Sequence, residues 1–164
     1  MRILGLDPGL AILGFGIIDC NGNSYKLVDY GVINTEANSP FPERLQLLYD
    51  DLTFLIEKYL PDEVAVEELF YNKNATTAIK VAQARGVQVL TCVNKGLPIY
   101  EYTPLQVKQA ITGYGRAEKD QVQMMVKNFL NMKEIPKPDD AADALAISIC
   151  HGFTGRFKEQ FLMR

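Results

Sequence analysis

Four acidic side chains stand where acids are expensive to keep. Asp7 closes the apolar run from Arg2 to Asp7, and Glu67 closes Glu63-Val64-Ala65-Val66-Glu67. A carboxylate at the end of a buried strand needs a partner, because an uncompensated charge out of water is costly. Glu68, next to Glu67, points to the opposite face, since strand side chains alternate. Asp140 and Asp143 are three residues apart with only alanines between them, so they share one helix face. Brought together, these acids would repel and raise one another's pKa, and a divalent cation would reverse that penalty. Oxygen donors without paired Cys or His suit Mg2+ or Mn2+. Magnesium holds on through few carboxylates plus phosphate oxygens, which points to phosphate chemistry. Two such ions, about 3.5–4 Å apart, can clamp the attacking and leaving oxygens of an in-line displacement. Plainer uses exist for each residue. Asp139 or Asp140 can cap a helix, Asp7 can stabilise a turn, and Glu67 can be an exposed strand end. Spacing leaves the choice between Asp139 and Asp140 open.

The elements that would position these acids are legible in outline. Residues 2–7 form a strand, Pro8-Gly9 a turn, and residues 12–20 a second strand. Gly14 and Gly16 inside that strand allow something to approach its backbone closely. Asn21-Gly22-Asn23 predicts a hairpin into a third strand over 24–35. Leu45, Leu48, Leu52, Leu55 and Ile56 at helical spacing predict a helix that Pro61 ends. A fourth strand covers 63–67. A long helix runs from 74 to about 95, with Ile79, Ala82, Val87 and Leu90 as its apolar stripe and Gly86 as a close-packing point. A fifth strand covers 99–102. Helices follow over 104–112, 118–131 and 139–154. The expected class is α/β: a five-stranded mixed sheet, its first three strands antiparallel, with helices on both faces. Residues 1–154 read as one domain, and 155–164 as a short flexible tail.

Composition narrows the function classes. A chain of 164 residues with 48% hydrophobic and 23% charged residues is ordinary globular composition, not disordered, collagen-like or a stapled scaffold. Three scattered cysteines with no CxxC pair, and a single histidine, give neither a disulfide framework nor a zinc site; a reducing cytoplasm fits. No apolar run is long enough for a membrane span. The net charge of −3 hides an asymmetry: residues 1–71 carry 4 basic and 12 acidic side chains, whereas residues 72–133 carry 9 and 3. The basic stretch reads either as solvated helix faces or as a surface that tracks phosphates.

The ordered set of motifs resembles the RuvC family of Holliday-junction resolvases. It comprises Gly5-Leu6-Asp7-Pro8-Gly9, Gly14-Phe15-Gly16, Ala65-Val66-Glu67 with Phe70 and Asn74, and Gln83-Ala84-Arg85-Gly86. Glu101-Tyr102, Gln106-Val107-Lys108-Gln109, Glu118-Lys119 with Gln121-Val122, and Asp140-Ala141-Ala142-Asp143-Ala144-Leu145-Ala146 complete it. The likeness runs from residue 2 to about 151. It implies an RNase H-like fold and a homodimer that nicks two strands of like polarity in a four-way DNA junction, symmetrically, in recombination and repair. It implies two Mg2+ ions per site, Mn2+ able to substitute, no small-molecule cofactor, 5′-phosphate and 3′-hydroxyl ends, and partnership with a RuvA–RuvB branch-migration complex. By that resemblance Asp7, Glu67, Asp140 and Asp143 are the catalytic, metal-binding acids, and Asp140 is preferred over Asp139. Lys108 and Lys119 match basic residues that serve DNA binding and cleavage, and Phe70 matches an aromatic that stacks near the junction centre. Lys73, Lys80 and Arg116 are further candidates for flanking phosphates. Leu10 and Leu13 depart from the Ser and Thr of other members, which should alter hydrogen bonding beside the first acid. Competing readings are half of a sugar-kinase or actin-like ATPase, which lacks a second phosphate loop here, an RNase H-like nuclease acting on RNA, and a DNA-architectural module without catalysis.

Overall fold

The computed structural model describes residues 1–69 and 75–164. Its strands are β1 (Arg2–Asp7), β2 (Ile12–Asn21), β3 (Ser24–Asn34), β4 (Glu63–Glu67) and β5 (Ile99–Tyr102). They form one sheet in the order β3-β2-β1-β4-β5. The two-residue turn between β2 and β3 uses Gly22 at φ +59°, a conformation a side chain would oppose. β1, β2 and β3 pair antiparallel, while β1–β4 and β4–β5 are parallel. Parallel neighbours need crossovers, supplied by α1 (Phe41–Tyr59) and α2 (Ala75–Asn94). After β5 come α3 (Pro104–Thr112), α4 (Lys119–Phe129) and α5 (Asp139–Thr154).

Strand alternation sorts the core into two layers. Leu4, Leu6, Val64 and Val66 face α1 and α2, packing with Leu48, Leu52 and Ala84. Ile3 and Ala65 face the opposite way, with Val107, Val126, Leu145 and Ile149 of α3, α4 and α5. Asp7 and Glu67 continue this second, odd-numbered set, so both carboxylates emerge on the α5 face. The three glycines of the opening hairpin explain how close α5 comes. A Cβ at Gly5 would overlap the carbonyl of Ala144, and one at Gly14 would overlap the carbonyl of Asp140. A Cβ at Gly16 would sit 2.7 Å from the Leu145 nitrogen. The helix backbone therefore lies directly on β1 and β2.

Two expectations need correction. The predicted stripe on α2 is not its buried face: Ala84, Gln88, Thr91 and Cys92 are buried, while Ile79, Leu90 and Val93 are exposed. Gly86 meets nothing within 4 Å, so it is no packing point within this chain. Apolar periodicity marks a face but not what covers it. The terminal segment also differs from the loose tail expected. Residues Gly155–Phe161 form a 3-10 helix, Leu162 bridges Tyr100, and the Met163 amide donates to the Ile99 carbonyl at 2.9 Å. Lys158 pairs with Glu63, whose other oxygen meets buried His151 at 2.7 Å, and the Phe161 ring lies 4.8 Å from that of Tyr102. The tail thus covers the free edge of β5, a role that local composition does not announce.

Candidate active site

Asp7 and Glu67 come together because β1 and β4 are parallel neighbours. The register pairs Leu6 with Val66, which puts the next residue of each strand side by side at the carboxyl ends. The Gly14 contact places the first turn of α5 over the same point. Burial and the charges of Glu67, Asp143 and Asp140 push the Asp7 carboxyl up to about 7. Burial and Asp143 push Glu67 to about 7 as well, against the opposing pull of Lys108 and Lys119. Burial also raises Asp143, although Lys119 counters it.

The structure distinguishes Asp139 from Asp140. Pro138 occupies the helix N-cap, so neither aspartate supplies the side-chain cap that the sequence allowed. Asp139 turns outward, accepting from Gln123 Nε2 at 3.0 Å and pairing with Lys119 at 3.4 Å and Lys137 at 3.5 Å. It is Asp140 whose charge reaches Asp7.

Cationic side chains border the acids. Lys119, at the start of α4, holds its ammonium 3.0 Å from Asp143. Burial lowers its pKa, but Asp143 and Asp139 outweigh that and raise it. Lys108 of α3 lines the same cavity of about 170 Å3, together with Glu67, Lys119 and Asp143. Arg116 is exposed in the segment between α3 and α4. Lys80 is exposed on α2 and lines a separate cavity beside the turn that follows Asp7. Phe70 and Lys73 lie outside the described residues.

The turn carrying Asp7 is pinned by residues that the sequence analysis did not single out. Gln88 of α2, only 1% exposed, donates from Nε2 to the Gly9 carbonyl at 2.9 Å. Thr35 donates from Oγ1 to the Leu10 carbonyl at 2.6 Å, and its amide donates to the Ala11 carbonyl at 2.9 Å. Leu10 and Leu13 are buried among the apolar side chains of that layer and offer the turn no hydroxyl. No local pattern could have revealed Gln88, because its partner is 79 residues away.

The donor set suits a hard divalent cation: carboxylate oxygens only, two of them held near 7 by burial and repulsion, an electrostatic cost that added positive charge relieves. Among the described residues no three of these acids stand around one point as a closed ligand set; Asp143 is paired with Lys119 instead.

Residues 3–151 match the family model for crossover junction endodeoxyribonuclease RuvC. This chain belongs to the RuvC family. The crossover junction endodeoxyribonuclease RuvC of Alkaliphilus oremlandii is 56% identical over 164 residues, covering 100% of both chains. The RuvC of Finegoldia magna is 55% identical over 158 residues, covering 96% of each. Among solved structures, Thermus thermophilus RuvC in complex with Holliday junction substrate matches with a TM-score of 0.91 at 36% identity, covering 96% of each chain. Thermus thermophilus RuvC thus shares this fold over nearly its whole length, and the five-stranded mixed sheet is as expected. Among the described residues no helix is long and apolar enough to cross a membrane.

Proposed function

We propose that this chain is a metal-dependent endonuclease that resolves four-way (Holliday) DNA junctions. The observation that carries the reading is that Asp7 and Glu67 lie at neighbouring strand ends under the first turn of α5, which bears Asp140 and Asp143, with Glu67 and Asp143 lining a cavity that Lys108 and Lys119 border. Membership of the RuvC family supports the substrate, since the matched relatives are named for crossover junctions and one was solved on a Holliday junction.

The four acids are the groups that would hold the cations, Mg2+ or Mn2+ by the hardness of their oxygens, two per site. The chemistry supplied there when such ions are bound would be activation of a water for in-line attack and stabilisation of the departing 3′ oxygen, leaving a 5′-phosphate. The protein supplies the rest. Asp7 and Glu67, on rigid strand ends, fix the site relative to the sheet. Asp140 and Asp143, on a helix clamped to that sheet, close it from above. Lys108 and Lys119 offset phosphate charge at the cavity rim. Lys119 holds its ammonium 3.0 Å from Asp143, which keeps a positive charge at the edge of the acids. Lys80, Lys73 and Arg116 serve flanking phosphates, and Phe70 offers a face to an unstacked base, an interaction of roughly 1–3 kcal/mol.

A homodimer gives two such sites, one for each of two strands of like polarity. The outward apolar face of α2, Ile79, Leu90 and Val93 around bare Gly86, is the surface best suited to a second copy in an isologous contact. Residues 1–154 would act as the nuclease unit, in the cytoplasm, downstream of a RuvA–RuvB branch-migration motor. The acidic first segment discourages casual duplex binding, and the spacing of two clefts selects the junction by shape.

The test is direct. The purified chain is incubated with a synthetic four-way junction, linear duplex and RNA–DNA hybrid, with Mg2+ or with chelator, and the nicks are mapped. Paired, metal-dependent nicks in opposing arms of the junction alone are expected. Preferential cutting of the hybrid, or junction binding with no cutting in any metal, would overturn the proposal.

A further inference from the structure

Arg44 is an anomaly of charge. It is one of 4 basic residues in a segment of 71 that carries 12 acids, yet among the described residues it pairs with no carboxylate. It sits in the first turns of α1, half-buried. Its Nε donates to Thr35 Oγ1 at 2.9 Å, and that hydroxyl donates in turn to the Leu10 carbonyl at 2.6 Å. Thr35 is buried, so the relay is fixed at both ends. Among the described residues, Nε is the only guanidinium nitrogen of Arg44 with a hydrogen-bond partner.

The guanidinium borders a cavity of about 350 Å3, lined also by Lys80 and Thr77 of α2 and by Leu10, Ala11 and Ala37. Among the described residues two cations and no acid line this space. Leu10 is three residues beyond Asp7, at most about 11 Å of extended chain. A pre-oriented guanidinium that presents two nitrogens as a fork matches the oxygens of a phosphate. Lys80 adds a second positive charge across the opening. Leu10, Ala11 and Ala37 bring no counter-charge to the space.

We propose that Arg44 and Lys80 form a phosphate clamp for a DNA strand, gripping a backbone phosphate that flanks the one cut at Asp7, with Thr35 as the positioning residue of the guanidinium. This inference rests on the nuclease reading above, and its failure is separable from failure of that reading.

The experiment measures junction affinity against salt concentration, in Ca2+ or chelator so that no cutting intervenes, for the wild type, Arg44→Ala, Arg44→Lys, Lys80→Ala and the double alanine variant. Thermal melting of each variant is recorded alongside. Each alanine variant should flatten the log–log salt slope by about 0.9, and the double variant by about 1.8. Arg44→Lys should retain the slope while losing affinity, because charge survives and the fork does not. The loss for Arg44→Ala should be roughly tenfold at low salt, the scale of one charge-assisted hydrogen bond. A merely structural Arg44 would lower the melting temperature and leave the slope unchanged. An unchanged slope in Arg44→Ala, at any melting temperature, overturns the clamp. A wild type that neither binds nor cuts the junction would instead overturn the nuclease reading.

Discussion

Replacing Asp7 by Asn should make the metal-free protein more stable while abolishing its cutting. In the folded state burial and three neighbouring acids raise the Asp7 carboxyl from 3.8 to about 7. The unfolded chain releases this proton first. From pH about 4 upward the fold therefore loses stability as pH rises, and the penalty is complete above about pH 7. Some three pKa steps at 1.36 kcal/mol each give about 4 kcal/mol at pH 8. Part of this belongs jointly to Glu67 and Asp143, and the new amide keeps a desolvation cost of its own. A gain of about 2–4 kcal/mol is therefore expected for Asp7→Asn in chelator at pH 8. For a domain of this size that corresponds to a rise in melting temperature of about 5–15 °C. At pH 5 the gain should shrink, because native wild type already carries the proton, and at pH 4 it should vanish. Saturating Mg2+ should stabilise the wild type more than the variant. The assay is calorimetric melting across pH, paired with junction binding and nicking, in which binding survives and cutting is lost. A variant no more stable than wild type at pH 8, or equally more stable at pH 4 and pH 8, would refute the electrostatic reasoning.

Other perturbations probe the frame around the acids. Gln88→Ala removes the pin on the Gly9 carbonyl and should cost about 1–3 kcal/mol, with the cleavage rate falling more than junction affinity; melting and single-turnover kinetics check this, and an unchanged rate would show the turn holds without it. Gly14→Ala drives a Cβ into the Asp140 carbonyl and should destabilise by about 3 kcal/mol, at the high end for overpacking, because backbone has nowhere to go; wild-type melting would mean α5 does not lie where described. Ending the chain after Thr154 strips Lys158 from Glu63 and uncovers the β5 edge; a loss of about 2–4 kcal/mol is expected from the broken charged hydrogen bond and the lost Phe161 packing, and an unaltered unfolding curve would return the tail to the status of a loose end.

Much of this molecule is written locally. The short apolar runs in residues 2–7 and 63–67 specify strands whose last residue is an acid. Asn21-Gly22-Asn23 specifies the hairpin, because a two-residue turn demands positive φ. Asp140 and Asp143 share a helix face by spacing alone. Gly14 and Gly16 foretell a close approach to their strand, although not that the backbone of α5 makes it. Each of these features depends on a handful of neighbouring residues, which is why the sequence announces it.

The tertiary structure decided what depends on distant partners. Asp139 and Asp140 are equivalent in sequence; only the docking of α5 against β2 and α4 turns one to Lys119 and Gln123 and sends the charge of the other toward Asp7. The apolar residues of α2 are visible in the chain, but which of them meet the sheet depends on how the helix is rotated against α1. Gln88, Thr35 and Arg44 acquire their roles across tens of residues, through hydrogen bonds that exist only once α1, α2 and the turn after β1 are packed. Local patterning specifies elements and their faces; the meeting of those faces, and hence the assembly of charge that does chemistry, is set by packing among elements far apart in the chain.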